Sequence, residues 1–213
     1  PDSLVALVSR GETFVGTVRL PEIGLFRIEP FPEIAGLFEI SQIDESEMPP
    51  CGTGREHRVA ELEPDVPRPV PAKDDPSRMD VVVVYTPKTR DEAGGTAAIE
   101  AVIDLAVLEA NQAYLNSGVN RTLRLVRKAV VNYDESTHTF NDMLDHLTGK
   151  ADGQIDDVHA LRDEVRADLV CMIVENDQYC GLAWRMSTAS PSFESWAFSV
   201  VHRNCATGYY SFA

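Results

Sequence analysis

Apolar and polar positions divide the chain into three stretches of different rhythm. Over the first fifty residues, β-branched runs at 4–8, Thr13–Leu20, 24–28 and 36–40 are separated by Gly and Pro, which predicts short strands. Their alternation is imperfect: Phe14, Gly16, Val18 and Leu20 share one side, and Val15, Thr17 and Arg19 share the other. Four short strands bury little by themselves, so this β module is expected to lean on something larger. From Met48 to Ser77 the prolines at 49, 50, 64, 67, 69, 71 and 76 exclude a helix or a central strand and predict an extended linker. That linker carries Cys51-Gly52-Thr53-Gly54, an odd place for a free thiol.

A third rhythm begins at Asp80. Val81-Val82-Val83-Val84-Tyr85 is wholly apolar, as in a strand covered on both faces. The spacing then predicts a helix over 96–117. Ile99, Val102, Ile103, Ala106, Ala110 and Tyr114 fall on one face, Glu100, Asp104 and Asn111 on the other, and Gly118 closes it. A strand follows over 123–133. Thr139 and Asp142 form a capping-box pattern ahead of a Phe140, Met143, Leu144, Leu147 stripe that stops at Gly149. A helix over 155–165, a buried strand over 168–174 and strand candidates at 180–186 and 196–203 complete the chain. This alternation predicts an α/β fold with a mixed, mostly parallel twisted sheet and long helices, behind a small β-rich module.

Charge narrows the choice of partner. The 213 residues hold 34 acidic and 19 basic side chains, a net −15. Such a surface argues against nucleic acid, which is gripped by basic patches. No run of about 18 apolar residues is present, so no membrane span is expected. The chain opens Pro1-Asp2-Ser3 without Met or a signal peptide, so the natural start is expected upstream.

Candidate chemistry is sparse. The four cysteines contain no Cys-x-x-Cys, against a zinc ribbon or a thioredoxin motif. Cys171, inside an apolar run, reads as a buried, inert thiol. Cys180 with Cys205 is the candidate disulfide, which fits an oxidising compartment, while Cys51 could also pair with another cysteine. Among the five histidines, Asp142 and His146 lie one helical turn apart and can hold a metal, although such pairs are commonly solvated. His57 lies in the linker, His159 reads as an exposed helix residue, and His202 follows a strand. None belongs to a set spaced for zinc. Gly-x-Ser-x-Gly, a phosphate loop and Gly-x-Gly-x-x-Gly are absent, so local motifs hold no complete active site.

The C-terminal third adds an ordered resemblance. Tyr179-Cys180-Gly181-Leu182-Ala183-Trp184-Arg185-Met186, then Ala197-Phe198-Ser199-Val200-Val201, then Asn204-Cys205-Ala206-Thr207-Gly208-Tyr209-Tyr210-Ser211-Phe212-Ala213, resemble the adamalysin/reprolysin branch of the metzincin zinc endopeptidases. The likeness is greatest to its bacterial, peptidyl-Asp metalloendopeptidase-like members, and it runs from Met79 to Ala213. It implies a metzincin-like fold. It also implies that a zinc-binding His-Glu-x-x-His helix follows Ala213, so no catalytic residue and no complete metal site is expected within this chain.

The resemblance further implies that Gly181, Leu182 and Ala183 form the edge strand that binds substrate backbone, a role suited to unpaired edge amides. Residues 1–50 would be a prodomain, 51–78 an inhibitory linker, and 79–213 the incomplete N-terminal part of the catalytic domain. Cys51 is the candidate inhibitory zinc ligand of a cysteine switch, since a thiolate can close the position that catalytic zinc keeps for water. The implied whole is a secreted zymogen that binds zinc and cleaves protein or peptide substrates, with its own prodomain as an intramolecular partner. Calcium is possible but has no assignable ligands. The alternative is a non-catalytic metzincin-like module that captures peptides along Gly181, Leu182 and Ala183.

Overall fold

The computed structural model describes residues 3–31, 34–52, 75, 77–186, 190–209 and 211–212. Strands β1 (Leu4–Arg10), β2 (Thr13–Leu20), β3 (Gly24–Pro30) and β4 (Phe38–Ile43) form an antiparallel meander in chain order. The imperfect alternation read from the sequence has a structural cause. Thr17 and Arg27 are buried, whereas Val5, Leu7 and Ile40 stand 56%, 54% and 68% exposed. The covered face of this sheet is therefore partly polar, because it meets polar groups of the rest of the chain.

The remaining elements are β5 (Arg78–Tyr85), α1 (Pro87–Glu92), α2 (Thr96–Asn116), β6 (Thr122–Val130), α3 (Phe140–Thr148), α4 (Asp157–Val165), β7 (Leu169–Val174), β8 (Gly181–Ala183), β9 (Phe198–His202) and α5 (Arg203–Ala206). Their five-stranded sheet has the order β6-β5-β7-β9-β8. β5 pairs in parallel with β6 and β7, β7 pairs in parallel with β9, and only β8 runs antiparallel, at the edge. This is the mixed, mostly parallel α/β sheet that the pattern predicts. The period of two splits the apolar run of β5 between two cores. Val81, Val83 and Tyr85 pack with α2, while Val82 and Val84 pack with Phe140, Met143, Leu144 and Leu147 of α3 and Val158 of α4.

α2 departs from the one-sided helix expected. Ala98, Ala101, Leu105 and Val107 are buried as well as Ile99, Val102, Ile103, Ala106 and Ala110. The helix lies between β1 and β2 on one side and β6 on the other, so it needs apolar surface almost all round, and its alanines permit close approach. Its polar residues are also engaged. Arg10 contacts Glu100 and Asp104, Lys128 Nζ lies 2.7 Å from Asp104 Oδ1, and Asn111 exchanges two hydrogen bonds with the Leu123 backbone. Gly118, at φ 68°, follows the helix in the left-handed region.

The capping box of α3 forms. Thr139 Oγ1 accepts from the Asp142 amide at 3.2 Å, and Asp142 Oδ2 accepts from the Thr139 amide at 2.9 Å. Three strand expectations shorten, the first being β6, which ends at Val130 rather than at 133. The candidate at 180–186 is a three-residue strand, β8. Residues Pro191–Trp196 form a 3-10 turn with Pro191 at its start and the Ser190 hydroxyl capping it, so β9 begins only at Phe198, and Arg203 opens α5.

Candidate functional site

β8 owes its position to one buried side chain and one covalent link. Leu182 is 8% exposed and packs in the core that contains Phe198 and Val200. Cys180 and Cys205 are disulfide-bonded with Cα atoms 5.3 Å apart, which ties the start of β8 to α5. Trp184 follows, its indole N–H donating to Thr148 Oγ1 at 2.8 Å and its ring meeting Trp196 edge-on at 4.7 Å. In the register with β9, Gly181 faces Val201 and Ala183 faces Ser199, and the His202 amide donates to the Cys180 carbonyl at 2.9 Å. Antiparallel pairing alternates inward and outward bonds, so the amides and carbonyls of Gly181 and Ala183 point to the open side.

Part of that open side is taken. The Cys180 amide donates to the Pro50 carbonyl at 3.0 Å, and the Gly52 amide donates to the Gly181 carbonyl at 2.7 Å. Both contacts advance in the same direction along the two segments. Proline suits position 50, where only the carbonyl is used. Glycine suits position 52 for space: a Cβ there would lie 2.7 Å from Leu182 Cδ1 and 3.0 Å from the Gly181 carbonyl oxygen. Between them Cys51 carries a free, exposed thiol. Cys51, Gly52, Leu182, Trp184, Met186 and Phe193 line an apolar cleft beside the strand. Thr53, Gly54, His57 and the later linker prolines through Pro71 lie outside the described residues, as does Pro76.

The other candidates are engaged in structural contacts. Asp142 Oδ2 closes the capping box, and His146 Nδ1 lies 2.8 Å from the Tyr133 hydroxyl. His138 stacks on Tyr133 and meets His146 edge-on, and burial pushes the Tyr133 hydroxyl well above the usual phenol range. His159 is not an exposed helix residue. It is half-buried, with Nε2 2.7 Å from the Gly149 carbonyl and its ring 5.1 Å from Phe198. His202 is the last residue of β9 and buried, and desolvation, helped by neighbouring Arg203, pulls its pKa down towards the neutral form. Cys171 is buried, and desolvation pushes its thiol up to about 12, in keeping with an inert core residue.

Two buried acids escape sequence reasoning. Glu135, 1% exposed, accepts from Thr86 Oγ1 at 2.5 Å and from the Glu175 amide at 2.8 Å. Glu109, 3% exposed on α2, accepts from Thr17 Oγ1 of β2 and, at 2.6 Å, from the Gly208 amide. The available signal was position, since Glu109 interrupts the apolar series Leu105, Ala106, Val107, Leu108 and Ala110.

Among the described residues, no three His, Cys, Asp or Glu side chains gather as a metal site. The described residues by themselves thus supply no complete set of zinc ligands. No helix of the described residues is long and apolar enough to cross a membrane.

The family is decided by comparison with known proteins. Residues 76–208 match the model of the metallo-peptidase family M12B reprolysin-like proteins. The chain belongs to this reprolysin-like family. A peptidyl-Asp metalloendopeptidase of Stenotrophomonas maltophilia (strain K279a) is 34% identical over 218 residues, covering 100% of this chain and 49% of that protein. One from Xanthomonas campestris pv. campestris is 33% identical over 217 residues, covering 100% of this chain and 50% of that protein. The reprolysin-like chain thus spans about half the length of the curated relatives it matches. The solved structure of a chaperone-substrate complex aligns with a TM-score of 0.46 at 17% identity, over 88% of this chain and 24% of that one.

Proposed function

We propose that this reprolysin-like chain is the front part of a secreted, latent zinc endopeptidase, in which the linker occupies the peptide-binding edge. The observation that carries the reading is the pair of backbone bonds from Pro50 and Gly52 to Cys180 and Gly181. An exposed strand edge is a general template for extended peptide, and a segment already bonded to it competes with substrate. Residues 1–50 act as the prodomain, 51–78 as the inhibitory linker, and 79–213 as the N-terminal part of the catalytic domain. Gly181, Leu182 and Ala183 receive the substrate backbone. Cys51 serves as the inhibitory ligand to a zinc ion whose other ligands lie outside the described residues. The relatives, as peptidyl-Asp metalloendopeptidases, support peptide bonds at aspartate as the substrate class. The Cys180–Cys205 disulfide supports an oxidising, extracytoplasmic setting.

The test is Cys51→Ser in the full-length precursor, assayed on a peptide pair that differs by Asp→Asn. The variant is expected to show chelator-sensitive cleavage of the Asp peptide without processing, while the unprocessed wild type stays silent. Unchanged latency in the variant removes the switch. Equal cleavage of both peptides removes the aspartate preference.

A further inference from the structure

The β module and the linker hold the rest of the chain at two separate places. The linker touches the edge strand β8 through Pro50 and Gly52. The module instead covers α2 and residues 203–208. Ala6 and Val15 belong to the same buried cluster as Ile99, Val102, Ile103 and Ala106, with Val8 packed against it. Thr17 bonds Glu109, Arg27 Nη2 donates to the Asn204 carbonyl, and Arg203 Nη1 lies 3.1 Å from Glu29 Oε1. Gly208, at φ +74°, fits beneath the module so closely that a Cβ would come 2.9 Å from Ile43 Cδ1 and 3.1 Å from Leu25 Cδ2.

We propose that the surface formed by α2 and residues 203–208 is a binding site for the β1–β4 module as a separate polypeptide, so that cutting the linker leaves the module bound. Departure of the module would uncover apolar α2 surface and strand the Glu109 carboxylate without the Thr17 hydroxyl. Buried polar groups that lose a partner are penalised more than exposed ones. Glu109 also receives the Gly208 amide, so one carboxylate joins the module to the segment that follows the disulfide. Arg19 and Arg27 are the cationic groups facing this carboxylate, and both come from the module. The inference does not require the parent to be a protease, because it concerns association alone.

The test places a site-specific protease sequence in the linker of the full-length protein, cuts it, and follows both fragments by native mass spectrometry and size exclusion on dilution. The wild-type fragments are expected to co-elute at micromolar concentration and below. Separation at micromolar concentration overturns the proposal. Thr17→Val is expected to weaken association on the order of 10- to 100-fold, the consequence of one lost buried hydrogen bond to a charged acceptor. Thr17→Ser, which restores the hydroxyl, is expected to recover it, which separates the bond from a folding defect. Equal affinity of the Thr17→Val and wild-type fragments overturns the role given to Glu109.

Discussion

Replacing Gly52 by alanine puts one methyl group where the linker meets the edge strand. The added Cβ would lie 2.7 Å from Leu182 Cδ1, 3.0 Å from the Gly181 carbonyl oxygen and 3.2 Å from Leu182 Cβ. The Cδ1 methyl alone could swing aside, but the carbonyl belongs to the backbone of β8, and Leu182 is 8% exposed in a filled core. The relief is therefore movement of the linker, which breaks the 2.7 Å bond from the Gly52 amide to Gly181. A net backbone hydrogen bond is worth about 1 kcal/mol. Forcing a methyl into a packed site adds about 1–3 kcal/mol. Even about 2 kcal/mol raises the detached population roughly 30-fold. The Cys180 amide, bonded to the Pro50 carbonyl, reports this directly. Its hydrogen exchange is expected to accelerate by that factor in Gly52→Ala, while the His202 amide, bonded to the Cys180 carbonyl within the sheet, keeps its wild-type rate. Unchanged exchange at Cys180 refutes the steric reasoning. Equal acceleration at His202 means that the sheet itself has loosened, and refutes it as well.

Two further outcomes follow from burial. Glu109 has its pKa raised above the ordinary 4.5, chiefly by desolvation and against the hydrogen bonds from Thr17 and Gly208. The folded state then keeps this proton to a higher pH than the unfolded chain. The associated stability is full below the unfolded pKa and is lost as pH rises through the folded one. Denaturation midpoints of the wild type relative to Glu109→Gln should fall as pH rises from about 4.5, and parallel profiles would count against it. Glu175 is raised in the same direction, also by burial, but is present in both proteins and cancels. Iodoacetamide at mildly alkaline pH without reductant should add one label, at exposed Cys51, and spare buried Cys171 with its thiol near 12. A label on Cys171 in the folded protein would contradict its placement in the core.

The strands and helices were largely legible because their cause is local. Val81-Val82-Val83-Val84-Tyr85 can satisfy a period of two only when covered on both faces, and Thr139 and Asp142 form their box within four residues. The short edge strand and the 3-10 turn at Pro191–Trp196 were less legible, since their lengths are set by the disulfide and by the contact of Trp184 with Trp196. The polar bonds of His146 and His159 were hidden for the same reason: their partners are 13 and 10 residues away.

By itself the sequence determined the period of each element, the mostly parallel α/β sheet and the reprolysin-like character of its C-terminal two thirds. It also singled out Gly181, Leu182 and Ala183 as an edge and Cys51 as a thiol in an odd place. Only the tertiary structure decided what meets that edge. It sets Pro50 and Gly52 against Cys180 and Gly181, about 130 residues apart in the chain, and joins Thr17 to Gly208 through Glu109. Neither meeting leaves a periodic trace, because each depends on one hydrogen-bonding group brought to one place by elements whose own patterns are set by local packing.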